Sequence, residues 1–240
     1  HHNINVFNYK FELTYIDVGQ GDSTLINFPF KNGVVLMDTG GIEDYYEEEW
    51  EIGNSNYSLG KNGICTYLKS EGINKINYLI LTHGDYDHLG ESIDIINCIN
   101  VSNVIFNYGS TNSNEIKIIE VLNKMDINYY FYKSGDILKF NKYEIKFLSP
   151  GTDYKNENDN SLVTYLKIKD YGFLFTGDIS KDVEYDLINK YKLNVSFLKV
   201  AHHGSNTSSS YEFLKFYNPK YSIISVGINN KFGHPSEDTI

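Results

Sequence analysis

The chain contains no arginine, so all 21 of its basic side chains are lysines, set against 31 Asp and Glu for a formal charge of -10. Proteins that coat nucleic acid generally draw most of their affinity from cations that neutralise phosphates, so that class is excluded, while a local basic groove is not. Cysteine is nearly absent. Cys65 and Cys98 lack the spacing of a zinc ribbon and are too few for a disulfide framework, so both read as ordinary buried thiols. No apolar run approaches the roughly 18 to 20 residues that a membrane-spanning helix needs. The longest, such as Tyr78-Leu79-Ile80-Leu81, are short and strand-like, and the chain as given reads as soluble. Only four prolines interrupt 240 residues and no linker divides them, which fits one large domain. His1-His2 looks like the remnant of a tag; setting it aside leaves 3–240 as that domain.

Apolar, β-branched and aromatic runs recur between Gly, Asn and Asp clusters, the pattern of strands bounded by turns. Strands are expected at 10–17, 23–28, 33–38, 77–81, 104–106, 128–131, 137–140, 143–149, 162–168, 172–176, 195–200 and 221–226. Helical apolar spacing covers 60–70, 89–98, 115–125, 181–190 and 211–216. The stretch 43–57 is acidic, rich in Tyr and without period, and reads as an insertion or surface loop. Two successive sets of strands, each accompanied by helices, point to two sheets packed face to face with helices outside.

Chemistry concentrates at the ends of expected strands. Thr82-His83-Gly84-Asp85-Tyr86-Asp87-His88-Leu89-Gly90 packs four potential metal ligands into six residues directly after the strand ending at Leu81. Imidazoles and carboxylates crowded this closely would compete for few hydrogen-bond donors, whereas one or two divalent cations would satisfy them all. Gly84 and Gly90 fit a tight loop in which backbone approaches backbone. Asp178 ends the strand-like Gly172-Phe173-Leu174-Phe175-Thr176-Gly177, His202-His203 ends Val195 to Ala201, and His234 stands between Gly233 and Pro235 after a further strand.

These motifs, in this order, resemble the metallo-β-lactamase superfamily, whose signature is His-x-His-x-Asp-His followed by later His, Asp and His ligands. Asp17-Val18-Gly19-Gln20-Gly21-Asp22-Ser23, Met37-Asp38-Thr39-Gly40-Gly41, the carboxylate variant His83-x-Asp85-x-Asp87-His88, Leu198 to Ser205 and Gly233-His234-Pro235 look like the hydrolase domain of ComEC-type DNA-uptake proteins. The match runs from about Phe11 to Pro235. It implies an α/β fold, the αββα sandwich of that superfamily, with two mixed sheets face to face and helices outside.

The resemblance further implies that His83 and Asp85 hold one metal ion, that Asp87, His88 and His203 hold a second, and that Asp178 bridges them. The remaining family ligand, a His before Asp178, falls at Asn160, with Asp159 as its alternative. An amide oxygen in place of imidazole makes a harder, oxygen-richer first site, favouring Mn²⁺ or Mg²⁺ over Zn²⁺ or lowering its occupancy. The cofactor expectation is one or two divalent ions, Zn²⁺ or Mn²⁺. Of the adjacent histidines, His203 is expected as the ligand because Gly204 permits the turn, which leaves His202 in the cleft. His202 and His234 are the candidate general acids, Asp87 joins them as a candidate catalytic residue, and Asp17 and Asp22 are expected to brace their loop. Asp38, Thr39 and Gly40 are expected to support the metal loop from behind.

The implied activity is metal-dependent hydrolysis of phosphodiester bonds by an activated water, with single-stranded DNA as one candidate substrate. Rival expectations are another hydrolase on the same scaffold, such as a phosphorylcholine-type esterase or a thioester or lactone hydrolase, with the 43–50 segment, Trp50 and Tyr57 binding a cationic or apolar group. A metal-stabilised binding module without turnover is the third. A domain cut from a ComEC-type protein would sit at the cell surface; a stand-alone relative would be cytoplasmic or secreted.

Overall fold

Residues 9–41 and 57–240, the side chain of Phe140 aside, are described by a computed structural model. The tag-like His1-His2 and the acidic segment lie outside the described residues, except for Tyr57 at that segment's end.

Among the described residues, fourteen strands and six α-helices follow in this order. β1 (Glu12–Tyr15), β2 (Thr24–Phe28) and β3 (Gly33–Met37) form an antiparallel meander. A π-helical stretch (Leu59–Ile64) runs into α1 (Cys65–Ser70), followed by β4 (Lys75–Ile76), β5 (Tyr78–Ile80), α2 (Tyr86–Leu89) and α3 (Ser92–Cys98). β6 (Asn100–Val101), β7 (Asn103–Asn107), α4 (Ser113–Met125) and β8 (Asn128–Tyr132) complete the first half. The second half holds β9 (Ile137–Phe140), β10 (Tyr143–Ser149), β11 (Val163–Ile168), β12 (Tyr171–Phe175), α5 (Lys181–Lys190), β13 (Phe197–Lys199), α6 (Tyr211–Tyr217) and β14 (Tyr221–Ile223).

Each half builds one six-stranded sheet, ordered β1-β2-β3-β5-β7-β8 and β14-β13-β12-β11-β10-β9, while β4 and β6 pair separately. Both sheets begin antiparallel and turn parallel, from β3 onward in the first and from β12 onward in the second. Both faces of the central strands are buried, so they read as near-continuous apolar runs whose successive side chains point to opposite layers. Leu25, Leu36, Leu79 and Val104 face the core under α1, α3 and α4. Ile26, Val35, Ile80 and Ile105, each one residue along, meet Ile145, Phe147, Phe173 and Phe175 of the other sheet. On that sheet's far side Val163, Tyr165, Leu174 and Leu198 pack beneath α5 and α6, around Val183 and Phe213. The result is four layers, helices on sheet on sheet on helices, as the pattern of runs predicts.

The expected elements are all present, with edges moved by up to a few residues. Two differ in kind: the helix expected at 89–98 is split into α2 and α3, and the one at 60–70 begins as a π-helical stretch. The two-residue strands β4 and β6 are too short to produce a readable alternation.

One expectation is overturned. Cys65 and Cys98 form a disulfide with Cα atoms 6.4 Å apart. Nothing in a spacing of 33 residues announces it. The pair arises because α1 and α3 pack side by side on the outer face of the first sheet, which only the tertiary fold determines. Closing such a loop removes about 4 kcal/mol of chain entropy from the unfolded state.

Candidate metal centre

In an open α/β sheet the carboxyl ends of parallel strands form the natural crevice, and here both sheets direct those ends to one edge. Asp38 follows β3, His83 follows β5, Asp178 follows β12 and His203 follows β13. The backbone is bent to present them: Asp38, His202 and His203 have φ of 57°, 51° and 53°. Left-handed conformations at non-glycine residues cost energy and concentrate at functional sites.

The carboxylate of Asp38 organises the first loop. Its Oδ1 accepts from the backbone N–H of Thr82 at 2.8 Å, its Oδ2 accepts from the Thr82 hydroxyl at 2.8 Å, and the same oxygen lies 2.9 Å from His88 Nδ1. His83 Nδ1 stands 3.2 Å from the Thr82 hydroxyl, and His203 Nδ1 lies 2.9 Å from the carbonyl of Ser225. Every one of these imidazoles therefore has Nδ1 engaged, which turns its Nε2 inward. His88 Nε2 is 3.2 Å from Asp178 Oδ1; His203 Nε2 is 3.2 Å from Asp87 Oδ2 and 3.4 Å from Asp178 Oδ2.

His83 Nε2, His88 Nε2, His203 Nε2 and Asp178 Oδ1 are all buried without a hydrogen-bond partner. Buried polar atoms in folded proteins are almost always paired, so imidazole nitrogens and a carboxylate oxygen in close charge contact but without a hydrogen bond are the mark of a site shaped for cations. His83, His88 and Asp178, and likewise Asp87, His88 and His203, offer ligand atoms within 4.8 Å of one another. The donor set of imidazole nitrogens and carboxylate oxygens suits zinc or manganese.

Electrostatics agrees. Burial works against the charged form of Asp178, but His88 and His203 outweigh it and hold the carboxyl well below its usual range. Burial likewise opposes protonation of His203, yet Asp178, Asp87 and Asp22 raise it to about 10. His88 rises well above its ordinary value against burial, through Asp178 and Asp38, and Asp87 is lowered mainly by His203 and His88 despite its burial. Without metal, the carboxylates are balanced by protons on imidazole, and binding a cation must expel them.

The expected residues do not all arrive together. Asp85 lies 3.5 Å from His83 Nε2, at the rim, with a side chain 40% exposed. Asn160 takes a different role from the one its place in the motif implied. Its Oδ1 accepts from Tyr154 N at 2.7 Å, and its Nδ2 donates to the carbonyl of Tyr154 at 2.9 Å and to Asp153 Oδ1 at 3.4 Å, so the amide braces the preceding loop. Asp159, the alternative, accepts from Ser180 N at 2.8 Å. The residue beside the centre is Ser161, fully buried, whose hydroxyl accepts from Asp178 N at 3.0 Å. Gly177, at φ 53°, has no room for a side chain because a Cβ there would come within 2.7 Å of Ser161 Cβ.

His202 stands back from the cluster, 3.9 Å from Asp178 Oδ2, with its Nδ1 3.3 Å from the Thr207 hydroxyl. Its ring meets that of His234 edge-on at 5.7 Å. Burial first, then neighbouring imidazoles, lower the pKa of both. Both rings therefore favour the neutral form more than a free imidazole does, which suits hydrogen bonding to an anion.

Two residues within the motifs do more than the sequence reading gave them. Lys199, buried in β13, forms an ion pair with Asp22 and donates to the carbonyl of Val200 at 3.0 Å. Asp22 Oδ1 in turn lies 3.6 Å from His203 Nδ1. Asp22 thus supports the centre as well as its loop, and a lysine between Leu198 and Val200 in an apolar strand was the available signal. Asp17 does brace its loop, accepting from Gly19 N at 3.1 Å. Over the centre opens a cleft of about 1160 Å³ lined by Asp17, Tyr57, Glu157, His202, Lys231 and Phe232 among others.

A family model for the metallo-beta-lactamase superfamily matches residues 16–106. The chain is 33% identical to ComE operon protein 3 of Bacillus subtilis (strain 168), over 95% of this chain and 30% of that protein. It is 28% identical to competence protein ComA of Neisseria gonorrhoeae, over 94% of this chain and 28% of that one. The chain thus spans under a third of the length of these relatives. Among solved structures, the metallo-beta-lactamase fold protein YhfI from Bacillus subtilis superposes with a TM-score of 0.56 at 11% identity, covering 96% of this chain and 93% of that one.

Proposed function

From a chain that has the metallo-β-lactamase fold, we propose a metal-dependent phosphodiesterase acting on nucleic acid, with single-stranded DNA as the favoured polymer. The observation that carries the metal-dependent part is the gathering of three buried Nε2 atoms around the carboxylate of Asp178, none of them with a hydrogen-bond partner. The nucleic-acid part is supported by similarity to proteins named for competence and recombination along nearly the whole of this chain.

Asp87, His88 and His203 would hold one ion, His83 and Asp85 the other, with Asp178 between them. Bound there, divalent ions supply Lewis-acid charge and an activated water at neutral pH. The chain's own residues do the remainder. Asp38 and Thr82 keep His83 and His88 oriented, and Ser225 does the same for His203. His202 and His234 donate hydrogen bonds to the phosphate oxygens, and Asp87, besides binding metal, faces the cleft where the diester lies. Acidic Asp17, Asp85 and Glu157 along the cleft oppose a polyanion until cations offset them. The described residues form one hydrolase domain in this reading.

Its disulfide fits an oxidising compartment, consistent with a cell-surface or secreted setting, and no helix among the described residues is long and apolar enough to cross a membrane. The test is a substrate panel with Mn²⁺ and with Zn²⁺: a single-stranded oligonucleotide, a phosphorylcholine ester, a thioester and a lactone. Cleavage of the oligonucleotide, abolished by chelation, is expected. Turnover of one of the others in its place would favour the rival hydrolase, and no turnover with two metals bound would favour a binding module.

A further inference from the structure

The loop after β14 is more firmly built than its exposure suggests. The carboxamide of Asn230 makes four hydrogen bonds across it: Nδ2 donates to the carbonyls of Gly227 at 3.0 Å and His234 at 2.6 Å, while Oδ1 accepts from Phe232 N at 3.1 Å and His234 N at 3.0 Å. Gln20 Oε1 accepts from Gly227 N at 3.1 Å, tying the loop to the opposite wall, and Ser236 N donates to the carbonyl of Gly204 at 2.8 Å behind it. At the tip of this fixed loop Phe232 is 66% exposed and lines the cleft. Its ring lies nearly parallel to His234, 5.8 Å apart at 19°, and His234 leads edge-on to His202 beside Asp178.

A single exposed aromatic is unremarkable on a protein surface. Carried on a fixed backbone in a cleft and backed by the His234 ring, it is instead a preorganised contact. The neighbouring charge says for what. Lys231 is the one lysine among the described residues lining the cleft, whose other charged walls are carboxylates. A cation beside the ring repels a quaternary ammonium guest. A flat π-face next to one positive charge matches a nucleobase and its phosphate.

We propose that Phe232 is a stacking platform for a base of a single strand and that Lys231 holds an adjacent phosphate, an assignment that rests on the phosphodiesterase reading above. The strand would enter along the loop after β14, away from Glu157, and deliver a phosphate past His234 and His202 to the metal centre.

The test uses fluorescence anisotropy of the metal-loaded protein with a phosphorothioate oligothymidylate and with the same strand lacking its bases. The unmodified protein should bind the base-bearing strand about tenfold more tightly. Phe232→Ala and Phe232→Leu should shrink that preference to within about twofold, and Phe232→Tyr should keep it. Lys231→Gln should weaken both strands alike and lower the salt slope by about 0.7. An undiminished preference in Phe232→Ala, or one retained by Leu, would overturn the stacking assignment while leaving phosphodiester cleavage standing. If the unmodified protein neither binds nor cuts any strand with metal present, the phosphodiesterase reading falls and takes this proposal with it.

Discussion

On one side of Asp178, His88 and His203 have their Nδ1 atoms 2.9 Å from a carboxylate and a carbonyl respectively, and both rings are buried. On the other, His83 leans on a hydroxyl at 3.2 Å, Asp85 stands at the rim with 40% of its side chain in solvent, and Ser161 contributes a hydroxyl already engaged with Asp178 N. In the arrangement proposed above, the two halves share Asp178 but not a degree of preorganisation. A ligand whose orientation is fixed before metal arrives loses little entropy on binding, and one that must leave solvent loses more. The side with Asp87, His88 and His203 should therefore bind a cation tightly, and the side with His83 and Asp85 more weakly and with less preference for zinc.

Removing the shared bridge should erase the difference altogether. Asp178→Asn is expected to lower metal content on both sides and cleavage by about 10³-fold, roughly 4 kcal/mol of barrier, measured by elemental analysis and initial rates. Breaking one side at a time should separate the halves. His203→Ala should lose the tightly held ion, whereas Asp85→Ala should keep it and lose the second; Asp38→Asn, acting through His88, should weaken the tight side by about 10- to 100-fold, read by competition with a chelating dye.

The same contrast shows in metal-free protein as pH dependence. His203 is raised in the folded state to about 10 from 6.5, so its contribution to stability is complete below about 6.5 and is lost as pH climbs through about 10. Asp178, held low, contributes above its ordinary range and loses its share on acidification. Chelated protein should thus melt at least about 4 °C lower at pH 9.5 than at pH 6.5 in a thermal scan, and metal should remove most of that slope. The smallest effect expected is at Asn160: Asn160→His should leave zinc retention unchanged, because that side chain braces the 153–160 loop, while Ser161→Ala should cost about 1 to 2 kcal/mol through the buried N–H of Asp178, seen in denaturant titration.

Legibility in the sequence followed the same physics. Doubly buried strands such as β5 and β12 are continuous apolar runs, and the residues at their ends, His83 and Asp178, were conspicuous because polar groups abruptly follow buried ones. Counting along a motif placed the missing ligand at Asn160, whose amide is engaged with Tyr154 and Asp153, a pattern that the 3₁₀ turn of Asn158–Asn160 before β11 sets and that spacing does not announce. The Lys199–Asp22 pair and the Cys65–Cys98 bond join residues far apart in the chain. A lysine inside an apolar strand signals that Lys199 needs a partner, but local pattern names the partner in neither case, since only packed layers bring them together.

The most direct test of the account is a stepwise metal titration of chelated, refilled protein, following bound Mn²⁺ and oligonucleotide cleavage in the same samples. The account predicts two binding steps of clearly different affinity, with the weaker one emptied by dialysis and by Asp85→Ala, and cleavage rising with the second step. Two equally tight ions indifferent to Asp85→Ala, or full cleavage with every ion removed, would contradict it.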